Sequence, residues 1–161
     1  MLEPTDDSTI LENYPNDTDG ASESITLRSL SGWEWDVLIK FDLSLIPSNA
    51  TIQDASLQAY YYKNWDGNPN GHQVNLYRIL SDWDEETVTW ATQPPYVSEH
   101  SSFAVTPSTI ENWVIWNVTE DIVMFYQSGT PNFGWRMADM SGDNKCTYFR
   151  SKDYSMFHPV L

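Results

Sequence analysis

Five cations fall where strands are expected: Arg28, Lys40, Arg78, Arg136 and Arg150. The chain holds only 8 Lys and Arg against 23 acidic residues, a net charge of −15. Lys40 lies between Ile39 and Phe41, Arg136 between Trp135 and Met137, and Arg28 beside Leu27. Each cation therefore opposes an apolar face of its strand. A guanidinium grips a carboxylate through two parallel hydrogen bonds, so cations gathered on a sheet can form a carboxylate-binding face. The alternative is that each pairs with an Asp or Glu on the neighbouring strand. Both readings stay open.

Aromatic side chains are the second chemical signal. The chain has 8 Trp and 9 Tyr, which offer apolar ring faces with a polar handle. Sugar rings present C–H faces that stack on such rings. Tyr60 and Tyr62 lie on the parity opposite Leu57 and Tyr61, and Trp33 and Trp65 lie in loops rich in Gly, Asp and Asn. These four are candidate sugar contacts, with core or rim packing as the competing use.

Carboxylates carry a weaker signal. "WDEETVTW" (83–90) places Asp84, Glu85 and Glu86 side by side. Glycoside cleavage needs two carboxyl groups held across one bond. Side chains alternate along a strand, so three adjacent acids cannot all face one cleft. The segment is expected to be structural, with Trp83 and Trp90 in or near the core. "NDTDG" (16–20) offers Asn16, Asp17 and Asp19 at near-alternate positions, which suits calcium or a solvated acidic turn. "SGDNK" (141–145) is a similar turn. His72, His100 and His158 lack zinc spacing. Tyr60, His72 and Arg78 can be imagined as a lyase base and carboxylate clamp, but their spacing does not support it. Cys146 is the one cysteine, so no internal disulfide forms; it is expected to be buried and inert. No nucleophile elbow, phosphate loop or dinucleotide fingerprint occurs.

The elements that must position these residues read as short strands between turns at sandwich or barrel spacing. "ITLRSL" (25–30) alternates, and "WDVLIKFDL" (35–43) alternates more clearly, with Trp35, Val37, Ile39, Phe41 and Leu43 on one face and Leu38 as the exception. "SLIPSNAT" (44–51) is a Pro-containing corner. Further strands are expected at 56–63, 73–80, 112–118, 132–139 and 146–152, with an irregular stretch over 91–109. "TEDIVMFYQSG" (119–129) predicts one short helix near 119–128. Thr119 is its expected N-cap, Ile122, Val123 and Tyr126 its apolar stripe, and Gly129 its end. The expected fold is all-β: an antiparallel β-sandwich of jelly-roll type with one short helix, a single domain over 1–161.

Length of 161 residues suits one domain with a real core. The charge of −15 argues against nucleic acid and anionic membranes as partners. No stretch approaches the ~20 apolar residues of a membrane span. The N-terminal segment lacks a basic and apolar leader, and the chain is expected to be cut from a larger exported protein. Sequons at Asn16, Asn49 and Asn117 are compatible with export.

Several segments together resemble the DNRLRE domain and disaggregatase-related repeats. They are "FDLSLIPSNATIQDASLQAYYY" (41–62), "LSDWDEETVTWATQPP" (80–95), "WNVTEDIVMFYQSGTPNFGW" (116–135) and "YFRSKDYSMFHPVL" (148–161). The last strand of that family is missing here, and the N-terminal segment matches only loosely. The resemblance implies an extracellular or cell-surface β-sandwich, as found in bacteria and methanogenic archaea. Some relatives bind uronic-acid polymers, and some accompany polysaccharide-degrading domains. The expectation is a non-catalytic module, a monomer as an isolated domain, that binds an acidic polysaccharide. Its expected contacts are Arg28, Lys40, Tyr60, Tyr62, Trp65, Arg78, Arg136 and Arg150, with calcium as a structural cofactor at Asn16, Asp17 and Asp19. A surface-layer or adhesion repeat is the alternative; a polysaccharide-cleaving domain is the third reading.

Overall fold

The period-2 run over residues 35–43 becomes a nine-residue strand, Trp33–Phe41, in the computed structural model, which describes residues 1–161. It is the third of nine strands: β1 Pro4–Leu11, β2 Ser24–Leu30, β3 Trp33–Phe41, β4 Ser56–Trp65, β5 Gln73–Arg78, β6 Ser102–Val105, β7 Asn112–Asn117, β8 Trp135–Asp139 and β9 Cys146–Arg150. One α-helix, α1 (Thr119–Gln127), follows β7. All pairings are antiparallel. The strands follow one path, β6-β5-β8-β3-β2-β9-β4-β7, with β1 added to β3.

The path folds over at β2. Ser24–Leu27 pair with β9, and Arg28–Leu30 pair with β3. One strand thus belongs to two layers: β6, β5, β8, β3 and β1 form the first, and β9, β4 and β7 the second. At the far seam, Leu2 and Leu161 exchange two backbone hydrogen bonds of 2.7 and 3.0 Å, and Val160 bridges to Gln58. The result is a nearly closed β-sandwich, as expected.

Alternation sorts side chains between the layers and the outside. Val37, Ile39 and Phe41, Leu57, Ala59 and Tyr61, Val114 and Trp116, and Trp135 and Met137 all point into one core of 19 buried residues. The polar handles of its two indoles are satisfied: Trp116 donates to the Val74 carbonyl at 2.9 Å, and Trp135 to Asp121 at 2.7 Å. Leu38, the exception to its strand's pattern, packs outside the first layer. There it meets Ile10, Ile79, Trp83 and Val88 in a small second core under the 80–96 loop.

Four expectations change. Residues 4–11 form β1, whose buried Asp7, Ser8 and Thr9 hid it from a hydrophobicity pattern. The stretch 91–109 is not wholly irregular, because Ser102–Val105 pair with β5. Thr119 is the first helical residue rather than the N-cap; Asn117 accepts its N–H at 3.0 Å, and its hydroxyl accepts the Ala55 N–H at 2.9 Å. The helix buries Asp121, Ile122 and Phe125 rather than Val123 and Tyr126, because Asp121 is drawn in by Trp135, Ser101 and Arg78.

Candidate functional site

An extra residue in β4 builds the most distinctive surface of the molecule. Tyr61 pairs with Phe149, but the next partner, Tyr148, pairs with Lys63, so Tyr62 is a β-bulge. A bulge shifts the alternation by one. Tyr60 and Tyr62 face outward before it, and Lys63 and Trp65 face outward after it. Without the bulge, Lys63 and Trp65 would share the core parity of Tyr61. Trp33 and Trp65 are therefore strand-terminal residues, not loop residues, and Trp65 is 59% exposed.

Neighbouring strands extend this face. Tyr148 and Arg150 of β9 and Trp113 and Ile115 of β7 point the same way, by their register with β4 and β2. Arg150 is held between two rings, 3.6 Å from the centroid of Tyr62 and 3.5 Å from that of Tyr154. Tyr62 is itself pinned by a 2.6 Å hydrogen bond to Ser24. The Lys63 ammonium sits 4.9 Å from the Tyr148 ring. Tyr60 meets Trp113 edge-on at 5.3 Å and stacks on Phe157 at 4.4 Å. At the β2 border, Arg28 lies 5.1 and 5.0 Å from the rings of Trp33 and Trp35. It donates to Asn144, which donates in turn to Asp66 at 2.7 Å.

Charge is distributed unevenly. Five of the eight cations are neutralised by carboxylates: Lys40 by Asp6 and Asp82, Arg78 by Asp121, Arg136 by Asp36, Lys145 by Asp143 and Lys152 by Glu85. Arg28, Lys63 and Arg150 have no carboxylate partner in ion-pair range. The Nε groups of Arg28 and Arg150 are buried and make no hydrogen bond. These three cations all lie on or at the border of the β4–β9 face. In a chain of net charge −15, free cations beside aromatic rings have the chemistry to meet an anion that also presents an apolar surface.

Of the eight contacts expected from sequence, Tyr60, Tyr62, Trp65 and Arg150 come together here, with Arg28 at the border. Lys40, Arg78 and Arg136 lie elsewhere, each in an ion pair. Lys63, Trp113, Tyr148, Tyr154 and Phe157 join the face without having been expected. Trp113 had a sequence signal, its parity opposite Val114 and Trp116, whereas Lys63 turns outward only through the bulge. The "WDEETVTW" segment is a turn. Glu85 accepts the Asp7 N–H at 3.0 Å and holds Lys152 at 2.8 Å, while Asp84 accepts the Glu86 N–H at 2.9 Å. Trp83 is buried and donates to the Phe133 carbonyl at 2.9 Å. Cys146 is buried, and burial pushes its thiol above the ordinary value, which suits packing and not nucleophilic chemistry. Asn16 and Asp17 lie in a turn closed by the Asp17 N–H on the Tyr14 carbonyl at 3.0 Å, and Asp19 opens the next, closed by the Ser22 N–H on its carbonyl at 3.2 Å. No group of three or more carboxylate, imidazole or thiol side chains is arranged to hold a metal ion there or elsewhere. No helix is long and apolar enough to cross a membrane.

A family model described as carbohydrate-binding module family 96 matches residues 1–161. No curated protein matches the chain.

Proposed function

We infer the ligand from two facts: the chain belongs to carbohydrate-binding module family 96, and its three unpaired cations share one aromatic face. The ligand is an acidic polysaccharide whose rings carry carboxylates, and the module binds it without catalysis. Arg150 and Lys63 meet the carboxylates, and Arg28 meets one at the border of the face. Trp65, Tyr62 and Tyr148 take the C–H faces of the rings, and Tyr60 with Trp113 continues the platform across β4 and β7.

The carrying observation is the charge partition. A protein with 23 acidic side chains has partners in plenty for every cation, yet these three have none. Arg150 is also pre-organised by its two flanking rings, so little side-chain entropy is lost when it binds. The resemblance to disaggregatase-related repeats supports a place beside a polysaccharide-degrading domain in an exported protein. Affinity electrophoresis through alginate-containing gels tests the reading. The wild-type chain should be retarded, and Arg150→Gln with Lys63→Gln should run as in a gel without polymer. Unretarded wild type would favour the structural-repeat reading instead.

A further inference from the structure

The first layer carries a second concave surface. Continuing the β3–β8 register by one residue sets Asp36 beside Ala138, whose other neighbour is Asn75. The next row reads Leu38, Arg136, Tyr77. Ala138 is the small residue in this floor. The side chains around it rise to enclose a groove of about 490 Å³, within the roughly 300–1,000 Å³ of small-molecule clefts. Arg136 and Tyr77 form one wall, Glu34 the other, and Tyr96 leans in from the 80–96 loop.

The chemistry here differs from that of the β4–β9 face. Arg136 is 8% exposed and donates to Asp36 through Nε at 2.7 Å and through a terminal nitrogen. Its guanidinium lies 4.2 Å from the Tyr96 centroid. Tyr96 meets Tyr77 edge-on at 5.6 Å. Arg28 reaches the rim from β2, beside Glu34: Arg28 pairs with Trp35, and its neighbour Ser29 pairs with Glu34. Asp36 neutralises Arg136, and the groove's three carboxylates, Glu34, Asp36 and Asp139, outnumber its two cations, Arg136 and Arg28, so a further carboxylate brought in would meet excess negative charge. Fixed donors and acceptors beside two phenol rings suit hydroxyl groups on an apolar ring.

We propose that this groove is a second sugar subsite, selective for an uncharged pyranose, and distinct from the cationic face. It rests on the carbohydrate-binding reading but not on the acidic ligand. The two surfaces meet at Arg28, so one chain could cross from one to the other at β2.

Amide NMR of the full chain tests this with neutral hexasaccharides of glucose, galactose, mannose and N-acetylglucosamine, and separately with alginate hexasaccharide. A neutral sugar should shift amides of residues 77, 96, 136 and 138, and the acidic one should shift 63, 148 and 150. Ala138→Leu fills the groove from an outward-facing position and should weaken neutral binding by roughly tenfold or more, leaving acidic binding unchanged. Glu34→Gln, which removes a wall acceptor and keeps the shape, should weaken it less. Absence of groove shifts with all four neutral sugars would overturn the proposal, as would undiminished affinity in Ala138→Leu. Neutral binding in the groove without any acidic binding would uphold it and instead sink the acidic-ligand reading.

Discussion

In the proposed site, Arg150 is the side chain held most firmly in place. Two tyrosines fix its plane, no carboxylate neutralises it, and its Nε is left without a partner. Hydrogen bonds from a charged donor contribute about 1.5–3 kcal/mol, so Arg150→Gln should weaken acidic-oligosaccharide binding by roughly 10–100-fold. Its circular dichroism and melting temperature should stay near wild type, since the residue has no ion pair to break. A second residue makes a pH-dependent prediction. Asp7 is 1% exposed; burial raises its carboxyl from 3.8 to about 7, against the lowering effect of the Lys152 N–H and ammonium. The folded state therefore holds a proton that the unfolded state has lost between pH about 4 and about 7. Stability from this group falls as pH rises through that window. Asp7→Asn keeps an acceptor for the Lys152 N–H, bonded at 2.7 Å in wild type, and removes the titration. The melting temperature of Asp7→Asn relative to wild type should rise from pH 5 to pH 8. A constant difference would show that Asp7 does not titrate in this range.

At the scale of elements, the bulge in β4 and the turn before β8 set the architecture of the two surfaces. Gly134 has φ +78° and packs so close to β3 that a Cβ would overlap the Ile39 carbonyl. Gly134→Ala should cost several kcal/mol, in the range of severe backbone substitutions, and abolish folding at 37 °C or lower the melting temperature sharply. Leu38→Ala should destabilise by about 2–5 kcal/mol, because the residue is 1% exposed in the second core. A near-neutral Leu38→Ala melt would mean that the 80–96 loop is not held by that core. Both the success and the failure of sequence reading follow from the same rule. Where one face was apolar and the other polar, as in 56–61 and 112–117, alternation revealed the strand and its orientation. β1 escaped because Asp7, Ser8 and Thr9 are buried. β6 escaped because it spans four residues. Trp65 was misplaced because a bulge is invisible to a period-2 count. The outward direction of Tyr60 and Tyr62 was legible from parity, and Arg150 only as a cation within a strand; which cations lack partners was not legible. Lys40 meets Asp82, and Arg136 meets Asp36, across separations of 42 and 100 residues.

The whole molecule is an acidic sandwich with its free positive charge confined to one area. The overall field of a −15 protein opposes an acidic polymer, while the local cations attract it at contact. The Debye length is about 10 Å at 0.1 M salt. Raising salt should therefore speed approach of the polymer by screening the distant acids and hasten its release by weakening the contacts. Release governs affinity in most interfaces, so the net effect should be weaker binding at higher salt. Calorimetric titration of the wild-type domain and of Arg150→Gln/Lys63→Gln with alginate hexasaccharide, at low and high salt, decides whether the β4–β9 face holds an acidic glycan. The expected result is heat of binding that diminishes with salt in the wild type and disappears in the double variant. Absence of heat from the folded wild type at either salt, or binding that survives both substitutions, would contradict it.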